Sequence, residues 1–259
     1  MCGIVGYVGG QDATQVVVEG LRRLEYRGYD SAGVAVVTPV GVQSRKRAGK
    51  LANLEKALAE APLPDTTVGI GHTRWATHGA PNDVNAHPHL SEDGSLAVIH
   101  NGIIENFAEL RSLLQADGVT FLSETDTEVA AHLLAKMVGE TGSLTQAMQA
   151  TCRQLRGAFT LVAASAEDPD TLVGARRNSP LVVGLGEGET FLASDVSAFI
   201  AHTRRAMELG QDQVITITRE GVEVTDFDGV PADGVEYEVT WDASAAEKAG
   251  YDLFMLKEI

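Results

Sequence analysis

Apolar residues recur along the chain in two rhythms. Short runs rich in Val, Ile and Leu, bounded by Gly, Asp, Pro or Asn, fall at 4–8, 33–37, 68–72, 96–101, 159–164, 171–175, 181–183, 214–218 and 222–225, and each reads as a strand. Several are continuously apolar, as expected of strands covered on both faces. Between them the spacing shifts to three and four. Val16, Val17, Leu21 and Leu24 form one stripe over 13–25, and Leu51, Leu54 and Leu58 repeat over 51–60. Phe107, Leu110, Leu113 and Leu114 do so over 106–115, and Val129, Leu133, Leu134 and Met137 over 126–138. Leu144, Met148, Cys152 and Leu155 share a face over 144–155, so five helices are predicted. Asp12 with Gln15, and Thr125 with Glu128, have the spacing of capping boxes at two of the helix starts. Strand-like runs flank the helical block on both sides, which predicts layered sheets and helices rather than segregated domains. The segment 241–259 has only a thin apolar stripe and reads as the start of a linker, leaving 1–240 as one domain.

Charge narrows the choice of partners. With 36 acidic and 20 basic side chains the formal net charge is −16, a surface that repels nucleic acid and anionic membranes. The local exception, Arg45, Lys46, Arg47 and Lys50, reads as a solvated loop-and-helix face. The opening MCGIVGYVGG is too short and too glycine-broken for a signal peptide, and no run approaches the roughly 18 apolar residues of a membrane span. Two cysteines imply no disulfide framework, which suits a reducing, cytoplasmic setting. Cys152 lies on an apolar helix face and reads as core.

Cys2 is different because of its position. Its small side chain favours removal of Met1, which would leave a thiol and an α-amine on one residue. A thiol of pKa near 8.5 is only about 3% ionised at pH 7 and needs a base. An α-amine of pKa about 7.8 is roughly 15% neutral at that pH, and it can return its proton to a leaving amine. Three polar segments that packing does not require accompany it: RGYDSAG at 27–33, HTRWATHG at 72–79 and HNGIIEN at 100–106. Each borders a strand-like run, where loops can converge on a site.

Together with MCGIVG these segments resemble the N-terminal-nucleophile glutamine amidotransferases, and in particular the glutaminase half of the glutamine–fructose-6-phosphate aminotransferases. LEYRGYDSAG at 24–33, NAHPH at 85–89, SETDTE at 123–128, LRG at 155–157, ASD at 193–195 and MLKEI at 255–259 extend the likeness over the whole chain. The resemblance implies an α+β fold, a four-layer αββα sandwich with Cys2 on the first strand. It implies hydrolysis of L-glutamine to L-glutamate and ammonia through a γ-glutamyl thioester on Cys2, without metal or other cofactor. The ammonia would serve fructose 6-phosphate in a sugar isomerase domain beyond 259. In that family the isomerase half carries most of the dimer contact, so the isolated domain is expected to be a monomer and the longer enzyme a homodimer.

Site roles carried over by the resemblance agree with elementary chemistry. Arg74 would clamp the glutamine α-carboxylate, with Thr77 and His78 adding hydrogen bonds. Asp126 would hold the α-ammonium, and as a first-turn acid it would equally stabilise a helix dipole. The Asn101 side chain and the Gly102 main-chain N–H would receive the oxyanion. Trp75 is expected either as a mobile lid or as plain packing. Arg27 is expected near the nucleophile, contacting it or bracing a turn with Asp30. The spacing of His72, His78, His87, His89 and His100 matches no zinc signature, and Gly184 to Gly188 reads as a turn rather than a phosphate loop. Two rivals are a glutamine-sensing module without turnover and an amidotransferase serving a purine or asparagine pathway.

Overall fold

Two antiparallel sheets face each other, and their side-chain alternation explains why most strands are apolar throughout. The computed structural model describes residues 2–240; the expected linker at 241–259 lies outside the described residues. The strands are β1 (Gly3–Val8), β2 (Ser31–Thr38), β3 (Gly41–Ala48), β4 (Val68–Arg74), β5 (His89–Leu90), β6 (Leu96–Ile104) and β7 (Gly157–Ser165). They continue with β8 (Asp168–Arg177), β9 (Val182–Leu185), β10 (Thr190–Ala193), β11 (Arg205–Glu208), β12 (Gln213–Ile217), β13 (Val222–Asp226) and β14 (Val235–Glu238). The first sheet runs β14-β11-β9-β10-β1-β4-β2-β3 and the second β13-β12-β8-β7-β6-β5. Helices α1 (Ala13–Leu24) and α2 (Leu51–Glu60) cover the first sheet; α3 (Phe107–Ala116), α4 (Asp126–Thr141) and α5 (Leu144–Gln154) cover the second.

Three apolar layers fill the spaces between these four. In β1, Val5 and Tyr7 pack under α1 with Val17 and Leu21, whereas Ile4 and Val8 turn to the second sheet and meet Ile99, Val162 and Leu172. In β6, Leu96 and Val98 pack under α4 and α5, and Ala97 and Ile99 face the first sheet. This period-two alternation makes the fold the four-layer αββα sandwich expected from the sequence. Fully burying each such Leu, Ile or Phe contributes about 1.5–3 kcal/mol, set against the entropy of ordering the chain.

The helix boundaries follow local chemistry. Asp12 caps α1 by accepting the Thr14 N–H at 3.0 Å. At α4, Thr125 accepts the Glu128 N–H at 3.3 Å, but the Glu128 carboxylate does not complete the expected box. It accepts the main-chain N–H groups of Leu122 at 2.8 Å and Ser123 at 2.7 Å instead, fixing the approach to the helix. Gly142, at φ 68°, ends α4 in the left-handed region. Leu113, expected on the buried stripe of α3, is exposed.

The basic cluster also differs from expectation. Residues 45–47 belong to β3, an edge strand whose ladder partner among the described residues is β2. Its alternation is hidden because both faces carry long polar side chains. The Lys46 Nζ donates to the carbonyls of Val84 (3.1 Å), Ala86 (2.8 Å) and Pro88 (3.3 Å), clamping the segment that precedes β5. Among the described residues no helix is long and apolar enough to cross a membrane.

Candidate active site

Strand register brings the three polar segments together. Gly3 pairs with Thr73, so Cys2 emerges beside Arg74 and Trp75 at the end of β4. The Trp75 N–H donates to Cys2 Sγ at 3.1 Å, and the thiol faces the Trp75 carbonyl at 3.6 Å. From the opposite sheet, Asn101 Nδ2 donates to the Cys2 carbonyl at 3.0 Å. The alternation of β6 places Asn101 on the inter-sheet face, in phase with Ala97 and Ile99, and its neighbour His100 on the helix side, where Nδ1 meets Thr127 Oγ1 at 3.0 Å.

A cavity of about 400 Å³ opens at this seam, and every residue nominated from the sequence except His78 lines it. Arg74 is 97% buried, being 3% exposed. One arm of its guanidinium, Nη2, donates to the His78 carbonyl, while the buried Nη1 has no partner. No carboxylate lies within ion-pair distance of Arg74 among the described residues. Burial lowers the guanidinium below its usual value, partly opposed by the charges of Cys2, Asp126 and Asp30, but a guanidinium stays protonated at neutral pH. Asp126 stands at the positive end of α4 and accepts the Ile104 N–H through Oδ2 at 2.9 Å. Thr77 is exposed on the lip of the cavity.

His78 reaches the site through its main chain: its ring packs edge-on against Phe107 at 5.2 Å, while its carbonyl holds Arg74. Trp75 is 47% exposed and meets Tyr29 edge-on, with ring centroids 5.4 Å apart. Its segment is pinned by Asp30, which accepts the Ala76 N–H at 2.9 Å. Arg27 does not brace Asp30. It pairs with Asp195 at 2.5 Å instead. Gly102 has φ +114°, and a Cβ there would sit 2.0 Å from the Ala158 carbonyl oxygen, so only glycine fits.

The electrostatics favour neutral imidazoles around a guarded thiol. Burial raises the Cys2 thiol above its ordinary value, partly countered by the Trp75 N–H. Burial also takes His72 down to about 3 against the hydrogen bond to Asn101, and holds His87 and His100 below the usual histidine range. The rings of His72 and His87 lie tilted with centroids 4.3 Å apart, and those of His87 and His89 lie edge-on at 5.1 Å.

Part of the wall was given no site role from the sequence: His87, His100, Ile103 and Thr127, which lie in the motif segments, and Ala158 with the turn of Asn178, Ser179 and Pro180, which do not. Asn178 has φ 58°, and Asn-Ser-Pro after an apolar run is a turn signature that could have marked it. A wider cavity of about 1020 Å³ lies elsewhere, between β3, the segment before β6 and the start of α4.

A thiol at the head of the first strand of a four-layer sandwich thus shares one cavity with a buried cation and a buried carboxylate. The family model described as the glutamine amidotransferase domain matches residues 59–232, a stretch holding Arg74, Asn101 and Asp126, and the chain belongs to that family. Among full-length relatives it is similar to the Streptomyces coelicolor protein named glutamine–fructose-6-phosphate aminotransferase [isomerizing], 66% identical over all of this chain and 42% of that protein. The Corynebacterium efficiens and Mycobacterium bovis proteins of the same name are 61% and 56% identical, each with 43% of its length covered. The chain thus spans less than half the length of the curated relatives it matches. Among solved structures, glutamine phosphoribosylpyrophosphate amidotransferase from B. subtilis superposes with a TM-score of 0.74 at 26% identity, over 87% of this chain and 49% of that one. A glutamine aminotransferase class-II domain protein from Silicibacter pomeroyi shares the fold, with a TM-score of 0.57 at 18% identity over 87% of this chain and 99% of that one.

Proposed function

We propose that the chain hydrolyses L-glutamine to L-glutamate and ammonia through a γ-glutamyl thioester on Cys2, and that it is the ammonia-releasing part of a glutamine–fructose-6-phosphate aminotransferase. The observation that carries this reading is Arg74. A buried guanidinium without a carboxylate partner among the described residues is costly, and Arg74, whose Nη1 has no hydrogen-bond partner, lines one cavity with Cys2 and Asp126. An amino acid supplies the missing carboxylate to Arg74 and an ammonium to Asp126, leaving its side-chain amide for the thiol.

The steps balance as follows. With Met1 removed, the Cys2 α-amine takes the thiol proton as Sγ bonds to the amide carbon. The oxyanion receives the Gly102 main-chain N–H and one N–H of Asn101. Collapse breaks the C–N bond, and the proton held by the α-amine leaves with ammonia. Water then adds to the thioester, giving a proton to the α-amine; the C–S bond breaks, that proton passes to sulfur, and glutamate departs with the thiol restored. Trp75 and Thr77, at the cavity mouth, shield the intermediate. The names of the longer relatives support fructose 6-phosphate as the acceptor in a domain beyond this chain, and a homodimer belongs to that longer protein.

Ammonia and glutamate should appear in equal amounts from glutamine alone, and Cys2→Ala should abolish both. Substantial turnover by Cys2→Ala would refute the mechanism.

A further inference from the structure

His72 is fully buried in the middle of the inter-sheet space, opposite Ile4 of β1, and the reaction scheme gives it no part. Its Nε2 lies 3.0 Å from Asn101 Oδ1. The other end of the same amide donates to the Cys2 carbonyl at 3.0 Å. These two contacts fix the chemistry of both groups. The Cys2 carbonyl can only accept, so the amide nitrogen must face it and Oδ1 must face His72. His72 must therefore carry its proton on Nε2 and donate. The reversed amide would set Oδ1 against the Cys2 carbonyl, two acceptors at hydrogen-bond distance with no proton between them.

The consequence concerns the second N–H of the amide. A primary amide has two: one is used by the Cys2 carbonyl, and the other remains for an oxyanion. The terminal torsion of asparagine is broad and roughly two-fold, so the side chain does not by itself hold that N–H in one direction. His72 supplies the constraint from β4, the strand that also carries Arg74. One strand thus holds the proposed substrate clamp and the aim of the proposed oxyanion donor.

We infer that His72 is a positioning residue for glutamine hydrolysis, its Nε2–H locking the Asn101 amide so that the free N–H meets the oxyanion. The inference rests on the reading of Asn101 as an oxyanion donor. Nothing in it requires the imidazole to change protonation state during turnover.

The test is a set of kcat and KM measurements on His72→Leu, His72→Gln and His72→Asn, alone and with Asn101→Ala, each normalised to folded protein by its melting curve. Glutamine places an amide nitrogen where Nε2 stands; asparagine falls short of it. His72→Leu and His72→Asn should lower kcat roughly 10- to 100-fold, the scale of misplacing a reacting group by about 1 Å, with KM changed less than about twofold. His72→Gln should recover most of that loss. Asn101→Ala should lower kcat roughly 10²–10³-fold, and adding His72→Leu to it should cost less than about a further twofold, because there is no amide left to aim. If His72→Leu costs the same factor with and without Asn101, or if glutamine rescues no better than leucine, His72 has no positioning role and the oxyanion reading survives. If Asn101→Ala leaves kcat unchanged, the oxyanion reading fails and the inference fails with it.

Discussion

Asp195 receives, at 2.5 Å and across 168 positions of sequence, the guanidinium of Arg27, which lines the Cys2 cavity. The same carboxylate accepts the Ser197 N–H at 2.9 Å through its other oxygen. One acid therefore caps a short turn and anchors a cation that lines the same cavity as Cys2. The side chains are 12% and 28% exposed, so solvent screens the pair only in part. Asp195→Asn keeps an oxygen for the cap and removes the charge. It should lower stability by about 1–3 kcal/mol, Arg27→Met by a similar amount, and the double variant by clearly less than the sum. Urea unfolding of the four proteins checks this; additive losses would show that the two side chains act independently.

Arg74 offers a second prediction, because on the proposed reading the glutamine carboxylate meets the side of the guanidinium that has no partner. Arg74→Met should raise KM for glutamine roughly 10- to 100-fold, the equivalent of losing a charged hydrogen bond of about 1.5–3 kcal/mol. Arg74→Lys keeps the charge without the planar fork and should fall between. Steady-state kinetics over a wide glutamine range decide it, and an unchanged KM in Arg74→Met would remove the residue from the binding role.

How legible this was depended on whether a residue's role was local. Helices α1, α2, α4 and α5 follow directly from their apolar stripes, and the central strands from runs buried on both faces. The strands that escaped notice are β3, β5, β10, β11 and β14, which are short or lie toward sheet edges, where pairing rather than apolar patterning selects the extended state. β3 shows the difficulty: its Arg45, Lys46 and Arg47 carry no alternation, and the strand is set by its ladder to β2. In the site, the nominated residues converge because their segments end strands that become neighbours. Arg27, expected either to contact the nucleophile or to brace a turn with Asp30, pairs instead with Asp195, which sits in the ASD segment already singled out. His78, expected to add a hydrogen bond, gives its carbonyl to Arg74. His72 was weighed only as a metal ligand, since its bond to Asn101 crosses between sheets and no sequence period reports such a contact.

Acid stability gives a third prediction. His72 is held at about 3 by burial, well below the 6.5 of an exposed histidine. Between those values the unfolded chain binds the proton and the folded chain does not, so stability falls as pH drops from 6.5 toward 3. The loss from His72 alone is about 2 kcal/mol at pH 5 relative to pH 7. His87, His89 and His100 are shifted in the same direction by burial and steepen the fall. Unfolding free energy measured between pH 6 and 5 should decline in the parent protein, and its slope should shrink by close to one proton in His72→Gln. An identical slope in the two would mean that His72 is not held neutral.

The two thiols allow the most direct test of the central claim, that Cys2 is the nucleophile for glutamine. Burial drives the Cys152 thiol far above the ordinary range, so it is inert in the folded protein. The measurement is the intact mass of the chain before and after exposure to the glutamine analogue 6-diazo-5-oxonorleucine, with the adduct mapped by peptide. The account predicts a chain lacking Met1 that takes up a single adduct, on Cys2, and is protected by excess glutamine. A chain lacking Met1 that takes no adduct, or takes it at another residue, would contradict it.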